Sequence, residues 1–372
     1  MKLIRNFSRL LVGLVFMFSG FVKGVDPLGT AYKIEDYFLA FNMSWALPFA
    51  LALSILLCTL EFGLGASMFF NLRIKKTSWI LLLVMVFFTI VTFFDYLYSP
   101  VPDCGCFGDF IILTNEETFY KNLVLLFFTL IIVFQRNKFK VLLQNGPQNL
   151  FLTLSFIIFA GFSIYNYYEI PVLDFREWKV GKKMTPENIQ KPDVYVTYKN
   201  KETGETKEYL SPDYPWNDSI WISNWEFVNQ RIDDSKVEKL HDLIIEDFQG
   251  DDLTENYINN KKFTFIIVAW SLDKTNKKAF RNQILNLYKE TSSKGYPFVV
   301  LTNSEEKDII KFQKETHTDN IDFLLSDPII LKAMIRSNPG LILMQNGVVM
   351  GKWGFRSIPK KEELTKKFGI DL

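Results

Sequence analysis

The sequence predicts a multi-domain chain: an all-α transmembrane helical bundle of four helices plus a fifth span, followed by an α/β domain. Three observations carry this. At 372 residues the chain is too long for one ordinary domain. Its first part, to about residue 170, is apolar, with charges confined to short gaps. The remainder is rich in Lys, Glu, Asp and Asn, and strand-like runs alternate there with helix-like ones before a closing hairpin. The formal net charge of +1 is unevenly placed and leaves no strongly basic face, which argues against a nucleic-acid partner. Three cysteines cannot build a disulfide-rich scaffold. His241 and His317 lie far from them in sequence and read as surface residues, so a Cys/His zinc site is not expected.

The first apolar run, Leu10 to Val22, follows Arg5 and Arg9 and precedes Lys23. Basic residues before a short apolar core also mark a signal peptide. No small-x-small cleavage pattern follows, and further spans come soon after, so we read an uncleaved helix over Ser8–Gly24. The second span is Ala46–Phe70, the third Thr77–Tyr96, the fourth Phe119–Phe134 and the fifth Leu150–Tyr168. Tyr165, Tyr167 and Tyr168 serve as interface anchors. Three basic clusters, Arg5/Arg9, Arg73/Lys75/Lys76 and Arg136/Lys138/Lys140, fall on one side if all five runs span. The positive-inside rule makes that side the cytoplasm. The reading is therefore a multi-pass protein of the inner (cytoplasmic) membrane, with a cytoplasmic N-terminus. The loop Val25–Ser44, the cysteine loop and everything after Tyr168 lie outside, where disulfides are permitted.

Beyond the spans, Asp193–Lys199 and Thr206–Leu210 flank a Gly204 turn and read as a β-hairpin. The stretch with Trp216, Trp221 and Trp225 packs on the last domain or lies near the membrane surface. Strands are expected at Leu243–Ile245, Phe263–Trp270, Pro297–Leu301 and Phe323–Leu325. Helices are expected at Lys274–Ser292, Glu305–Thr316, Asp327–Ile335 and Lys360–Phe368. Gly340–Met344 and Val348–Trp353 join through Asn346-Gly347 as a hairpin.

The chemically pointed stretch is Asp103-Cys104-Gly105-Cys106-Phe107-Gly108-Asp109, in a Pro- and Gly-rich loop between the third and fourth spans. Two thiols one residue apart read as a redox pair, a structural loop or a metal site. A disulfide across one residue needs distorted geometry, which Gly105 eases. Asp95, Asp103 and Asp109 gather at the outer rim, where negative charge raises a thiol pKa and slows attack; their bland role is loop capping. Cys58, counted from Trp45, lies ~20 Å below the outer surface at ~1.5 Å per residue and reads as a packing residue out of the loop's reach. Glu61 is a carboxylate inside a span, toward the cytoplasmic end, with Arg9, Arg73 or Lys75 as candidate partners. Gly63, Gly65, Ala66 and Ser67 allow close helix contact.

Residues 1–140 resemble the DoxX/MauE group of four-helix membrane proteins. The resemblance rests on Phe18-Ser-Gly-Phe-Val-Lys-Gly-Val-Asp-Pro27, Glu61-Phe-Gly-Leu-Gly65 and above all Asp103–Asp109. Residues 141–169 add a fifth span, and 170–235 form an extracytoplasmic connecting region. Residues 236–372 resemble a thioredoxin-like domain, through Asp242–Asp252, Phe263–Trp270 and Asn338-Pro339-Gly340, with Pro339 the fold-defining cis-proline candidate. That domain reads Ser271-Leu-Asp-Lys274 where the resemblance implies Cys-x-x-Cys, and it holds no cysteine. Thiol exchange there is excluded, because it needs a thiolate. The resemblance implies that Cys104 and Cys106 are a candidate redox pair, supported by Asp103, Asp109, Asp95 and Glu61. They would exchange electrons with an extracytoplasmic thiol protein, with a quinone as candidate cofactor in the bundle. Maturation of methylamine dehydrogenase is the role associated with the MauE branch. The expected function is thus a redox-associated membrane protein, a candidate component of thiol-disulfide oxidoreductase chemistry. The alternative is a non-catalytic membrane scaffold whose outer domain binds a client protein.

Overall fold

The structure is a computed structural model that describes residues 2–140, 144–185, 193–233 and 242–372. His241 and residues 236–240, which open the expected last domain, lie outside them. The apolar half folds as α1 (Lys2–Val25), α2 (Pro27–Ala40), a 3-10 segment (Ser44–Phe49), α3 (Ala50–Phe69), α4 (Ile74–Tyr98), α5 (Asn115–Gln135) and α6 (Asn145–Tyr168). Five segments are long and apolar enough to cross a bilayer: Lys2–Val25, Ser44–Phe69, Ile74–Tyr98, Asn115–Lys138 and Asn145–Tyr168. The chain is therefore a multi-pass membrane protein. The first span reaches back to Lys2, which gives α1 the length that Ser8–Gly24 barely supplied.

Bundle packing follows the small residues. A Cβ on Gly20 would stand 2.5 Å from Phe62 N, and one on Gly65 would strike Met17 N, so α1 and α3 touch backbone to backbone. The basic clusters gather at one end. Arg9 Nη1 donates to the Phe69 carbonyl at 2.6 Å, Arg73 donates to Asn145 and Asn149 at 2.7 Å each, and Arg136 lies 4.8 Å over the Trp79 ring.

The stretch Val25–Ser44, expected as a loop, contains α2. Asp26 caps it, accepting from Gly29 N at 2.9 Å, and Pro27 takes the first helical position. Ser54 Oγ donates to the Pro27 carbonyl at 2.6 Å. The C-terminal end of α1 is therefore level with Ser54, about two and a half turns along the second span from Trp45. The cysteine loop packs against this end of α1 and against α2: a Cβ on Gly108 would stand 3.4 Å from Val22 Cγ1, and one on Gly105 3.1 Å from Lys33 Cγ.

Beyond α6 a small antiparallel sheet is ordered β2-β1-β3, from β1 (Asp193–Asn200), β2 (Thr206–Leu210) and β3 (Trp225–Asp233), with α7 (Ser219–Asn224) before β3. The expected hairpin is its β1–β2 half. The Trp-rich stretch supplies the third strand and its cover: Trp221 stacks on Trp225 at 5.9 Å and meets Tyr198 at 4.7 Å.

The last region runs α8 (Thr254–Ile258), β4 (Thr264–Val268), α9 (Lys277–Ala279), a π turn (Phe280–Ile284), α10 (Leu285–Ser293), β5 (Phe298–Thr302) and α11 (Glu306–Thr316). It continues through β6 (Asp322–Leu325), α12 (Pro328–Met334), β7 (Gly340–Gln345), β8 (Val348–Gly354) and α13 (Lys361–Phe368). The sheet order is β6-β5-β4-β7-β8, parallel across β6-β5-β4 and antiparallel across β4-β7-β8. Every residue of β4 is buried, because its alternate side chains feed two cores: Phe265 and Ile267 on one face, Ile266 and Val268 on the other. Leu243–Ile245 is not a strand. Its side chains Leu243 and Ile245 are buried, the Ile245 carbonyl accepts from Leu253 N at 2.8 Å, and Glu246 makes isolated bridges to Asp252 and Leu325. The β7–β8 turn places Asn346 and Gly347 at φ 50° and 74°, and a Cβ on Gly347 would strike Thr185 Oγ1. The Asn338–Pro339 peptide is cis. His317 is exposed and closes α11 in the left-handed region.

Candidate functional site

The loop between α4 and α5 turns back on itself over the C-terminal end of α1. Gly105 and Gly108 adopt φ of 61° and 51°, and Gly108 N donates to the Gly105 carbonyl at 3.0 Å. α5 restarts cleanly because Thr114 and Glu117 form a reciprocal capping box. Within this turn the Cys104 and Cys106 sulfurs stand 2.8 Å apart as free, hydrogen-bonded thiols. Asp103 shapes the turn: its carboxylate accepts from Gly105 N at 3.0 Å and from Lys33 Nζ of α2 at 2.7 Å. This is the capping role.

Beneath the cysteines lies a buried charged pair. Lys23 Nζ and Glu61 Oε1 are 2.5 Å apart, with the side chains 6% and 1% exposed. Ser19 Oγ stands 2.8 Å from Glu61 Oε2 and 2.7 Å from the Cys106 carbonyl, so it links the carboxylate to the cysteine loop. Lys23 also faces the sulfurs of Cys106 and Cys58. This overturns two expectations. Glu61 pairs with Lys23 and Ser19, not with Arg9, Arg73 or Lys75, which stay at the basic end of the bundle. Cys58 is not remote from the loop, because the loop comes down toward it. Ser19 is ten residues beyond Arg9, about 15 Å along the helix, or roughly half of a ~30 Å hydrocarbon core. Counting from Trp45 along α3 missed this, since α1 ends lower than α3.

The remaining predicted site residues sit elsewhere. Asp95 accepts from the Tyr37 hydroxyl at 2.7 Å, and Tyr37 rather than Asp95 faces the two sulfurs. Asp109 turns away to Arg336 Nη2 at 3.2 Å, and the same guanidinium gives Nε to Asp26 at 2.8 Å while lying 5.4 Å over Tyr32. Pro339 immediately precedes β7, and Asn338 Nδ2 donates to the Ser271 carbonyl at 2.9 Å, away from the cysteines. Among the described residues no group of three His, Cys, Asp or Glu could hold a metal ion.

The carboxylates were expected to raise the thiol pKa, and for Cys106 the balance goes the other way. The hydrogen bond from Cys104 is the largest influence, and the Lys121 and Lys23 cations add to it; together they outweigh burial and lower Cys106 to about 6. Cys104 is raised, first by that same hydrogen bond and then by burial. Lys121 Nζ also lies 4.5 Å over the Phe107 ring. The surroundings thus favour the thiolate at Cys106 and the proton on Cys104. Ser19, Lys23, Lys33, Tyr37 and Lys121 were missed as site residues. For Lys23 a signal existed: a lysine closing one span and a glutamate inside another each need a partner.

No curated protein and no solved structure matches the chain. Residues 1–135, which hold α1 to α5 and therefore both cysteines and the Lys23–Glu61 pair, match the family model described as Methylamine utilisation protein MauE, and this part of the chain is a MauE-family domain.

Proposed function

We propose that this MauE-family membrane protein supports thiol–disulfide chemistry at Cys104 and Cys106, on the extracytoplasmic side of the inner membrane, within a methylamine-utilisation maturation process. The observation that carries the reading is the pair of free cysteines in the loop, Cys104 and Cys106, with their sulfurs 2.8 Å apart and Lys121 and Lys23 facing Cys106, which favour its thiolate. The side assignment rests on the basic clusters that meet at the opposite end of the bundle. The step balances within the pair and a partner disulfide. The Cys106 thiolate attacks one partner sulfur, forming a mixed disulfide and releasing the other as a thiolate. Cys104 then attacks the Cys106 sulfur, its proton passing to the departing partner thiol. Cys104 and Cys106 end as a disulfide, and the partner ends reduced by two electrons; the reverse direction oxidises a partner dithiol.

The test is alkylation trapping in membranes, with Cys58→Ala to clear the background. The pair should shift between reduced and oxidised forms when membranes are treated with oxidant and reductant, and Cys104→Ser should accumulate a mixed disulfide with a partner. A pair that stays in one redox state throughout, with no trapped partner, sinks the proposal.

A second reading has its own support. The mixed five-stranded sheet of the C-terminal region supports reading it as a thioredoxin-like domain, yet it carries no cysteine. Such a domain can hold a client protein but cannot exchange thiols with it. Under this reading the protein is a membrane scaffold, and removal of residues 236–372 abolishes client recruitment while the redox state of the cysteines is unaffected.

A further inference from the structure

An open cleft of about 660 Å³ lies where α2, the outer end of α6 and the C-terminal region meet. Its walls carry Lys274, Lys332, Arg356 and Arg336, against a single carboxylate, Glu35. Arg336 is committed to Asp26 and Asp109. Among the described residues, the other three cations make no ion pair within 4 Å. Lys332 lies 4.8 Å over the Tyr32 ring, and Arg356 gives Nη1 to the Tyr168 carbonyl at 2.6 Å while lying 4.8 Å over that tyrosine's ring. A concave site with this excess of positive charge calls for an anion.

The position of the cleft identifies its source. Gln148, at the inner end of α6, accepts from Arg73 N at 2.7 Å. Tyr168 is twenty residues further on, about 30 Å along the helix, which is one hydrocarbon thickness. Arg356 is thus held at the headgroup level. Directly below it, Ile157, Ile158, Ile164 and Tyr165 of α6 are exposed, an apolar face that acyl chains can cover. We infer that the cleft binds the phosphate of an anionic phospholipid headgroup, through Arg356, Lys274 and Lys332, with the acyl chains lying along α6. The bound lipid would fill the seam between the membrane domain and the C-terminal region beside Arg336.

The test uses the full-length protein, delipidated in detergent and examined by native mass spectrometry with phosphatidylglycerol or phosphatidylcholine. The wild type should retain phosphatidylglycerol in preference. Each of Lys274→Gln, Lys332→Gln and Arg356→Gln should weaken that retention roughly fivefold, by analogy with the value of a basic residue at an anionic membrane surface. Glu35→Gln, which removes the opposing charge, should strengthen it and so distinguishes the idea from a folding defect in the cation variants. Equal retention of both lipids, or retention unchanged in the triple cation variant, overturns the assignment. Full displacement of the lipid by millimolar inorganic phosphate, or equal capture of a soluble hexaglutamate peptide, also overturns it, in favour of a free anion or an acidic protein partner respectively.

Discussion

The thiolate of Cys106 is favoured by the hydrogen bond with Cys104 and by the cations Lys121 and Lys23, and each of these can be removed singly. A thiol lowered to about 6 is mostly thiolate at neutral pH, whereas an ordinary thiol is not. The rate of alkylation at Cys106, measured with Cys58→Ala and Cys104 present, should rise through pH 6 rather than through the usual thiol range. Lys121→Met removes a cation and should move that midpoint upward; so should Cys104→Ala, which removes the hydrogen bond, and by more, because that bond is the larger influence. The sign for stability follows. An acid whose folded pKa lies below its unfolded one stabilises the fold above the unfolded pKa, and the contribution fades as pH falls through about 6. A midpoint near the ordinary thiol value, unmoved by either substitution, would show that the thiols do not share the proton as described.

Between helices, the deciding contact is that of α1 with α3. Gly20 brings the backbones together, and one turn further on Lys23 and Glu61 form an ion pair buried from solvent. A buried pair adds little net stability when both charges are present, but removing one partner strands the other at a cost of ~3–5 kcal/mol. Lys23→Met should therefore destabilise the bundle by about that amount in thermal unfolding in detergent, and Lys23→Met with Glu61→Leu should recover most of it. A single variant as stable as the wild type would show that Glu61 finds another cation or takes up a proton. The five spans were legible in the sequence, because twenty or so apolar residues between basic flanks admit little else. α2 was not, although Asp26-Pro27 is a good helix start, because its polar stretch is too short to span and reads as a loop. β3 was hidden within the Trp-rich stretch, whose aromatic residues pack against their own small sheet. The cysteines announced themselves. Lys23, Ser19 and Lys121 could not, because their meeting with the cysteine loop depends on how far α1 is offset from α3 along the bundle axis, and periodicity carries no axial offset.

At the scale of the whole chain, the membrane domain and the C-terminal region are joined at the cysteine loop. Arg336 follows α12 and reaches Asp26 at the head of α2 and Asp109 at the end of the cysteine turn; Phe110, next in the loop, meets Phe175 of the segment after α6 at 4.9 Å. The loop is therefore held from below by Ser19, from the side by Lys33, and from above by the C-terminal region. Arg336 is 9% exposed and its partner Asp26 17%, so this pair is shielded from solvent, while Asp109 at 40% is only partly so. Arg336→Gln leaves Asp26 without its cation and should cost about 3 kcal/mol, the low end for a buried pair because the Asp109 arm is screened. Most of that loss should appear as undocking of the C-terminal region rather than as unfolding of the bundle. The expected readouts are several-fold faster alkylation of Cys104 and Cys106 and faster proteolysis between residues 170 and 185, with the melting of the spans unchanged. Asp109→Asn should show the same pattern more weakly, since it removes only the exposed arm. If alkylation of both cysteines keeps its wild-type rate in Arg336→Gln, the C-terminal region does not govern access to the pair, and the loop's geometry is set by the membrane domain alone.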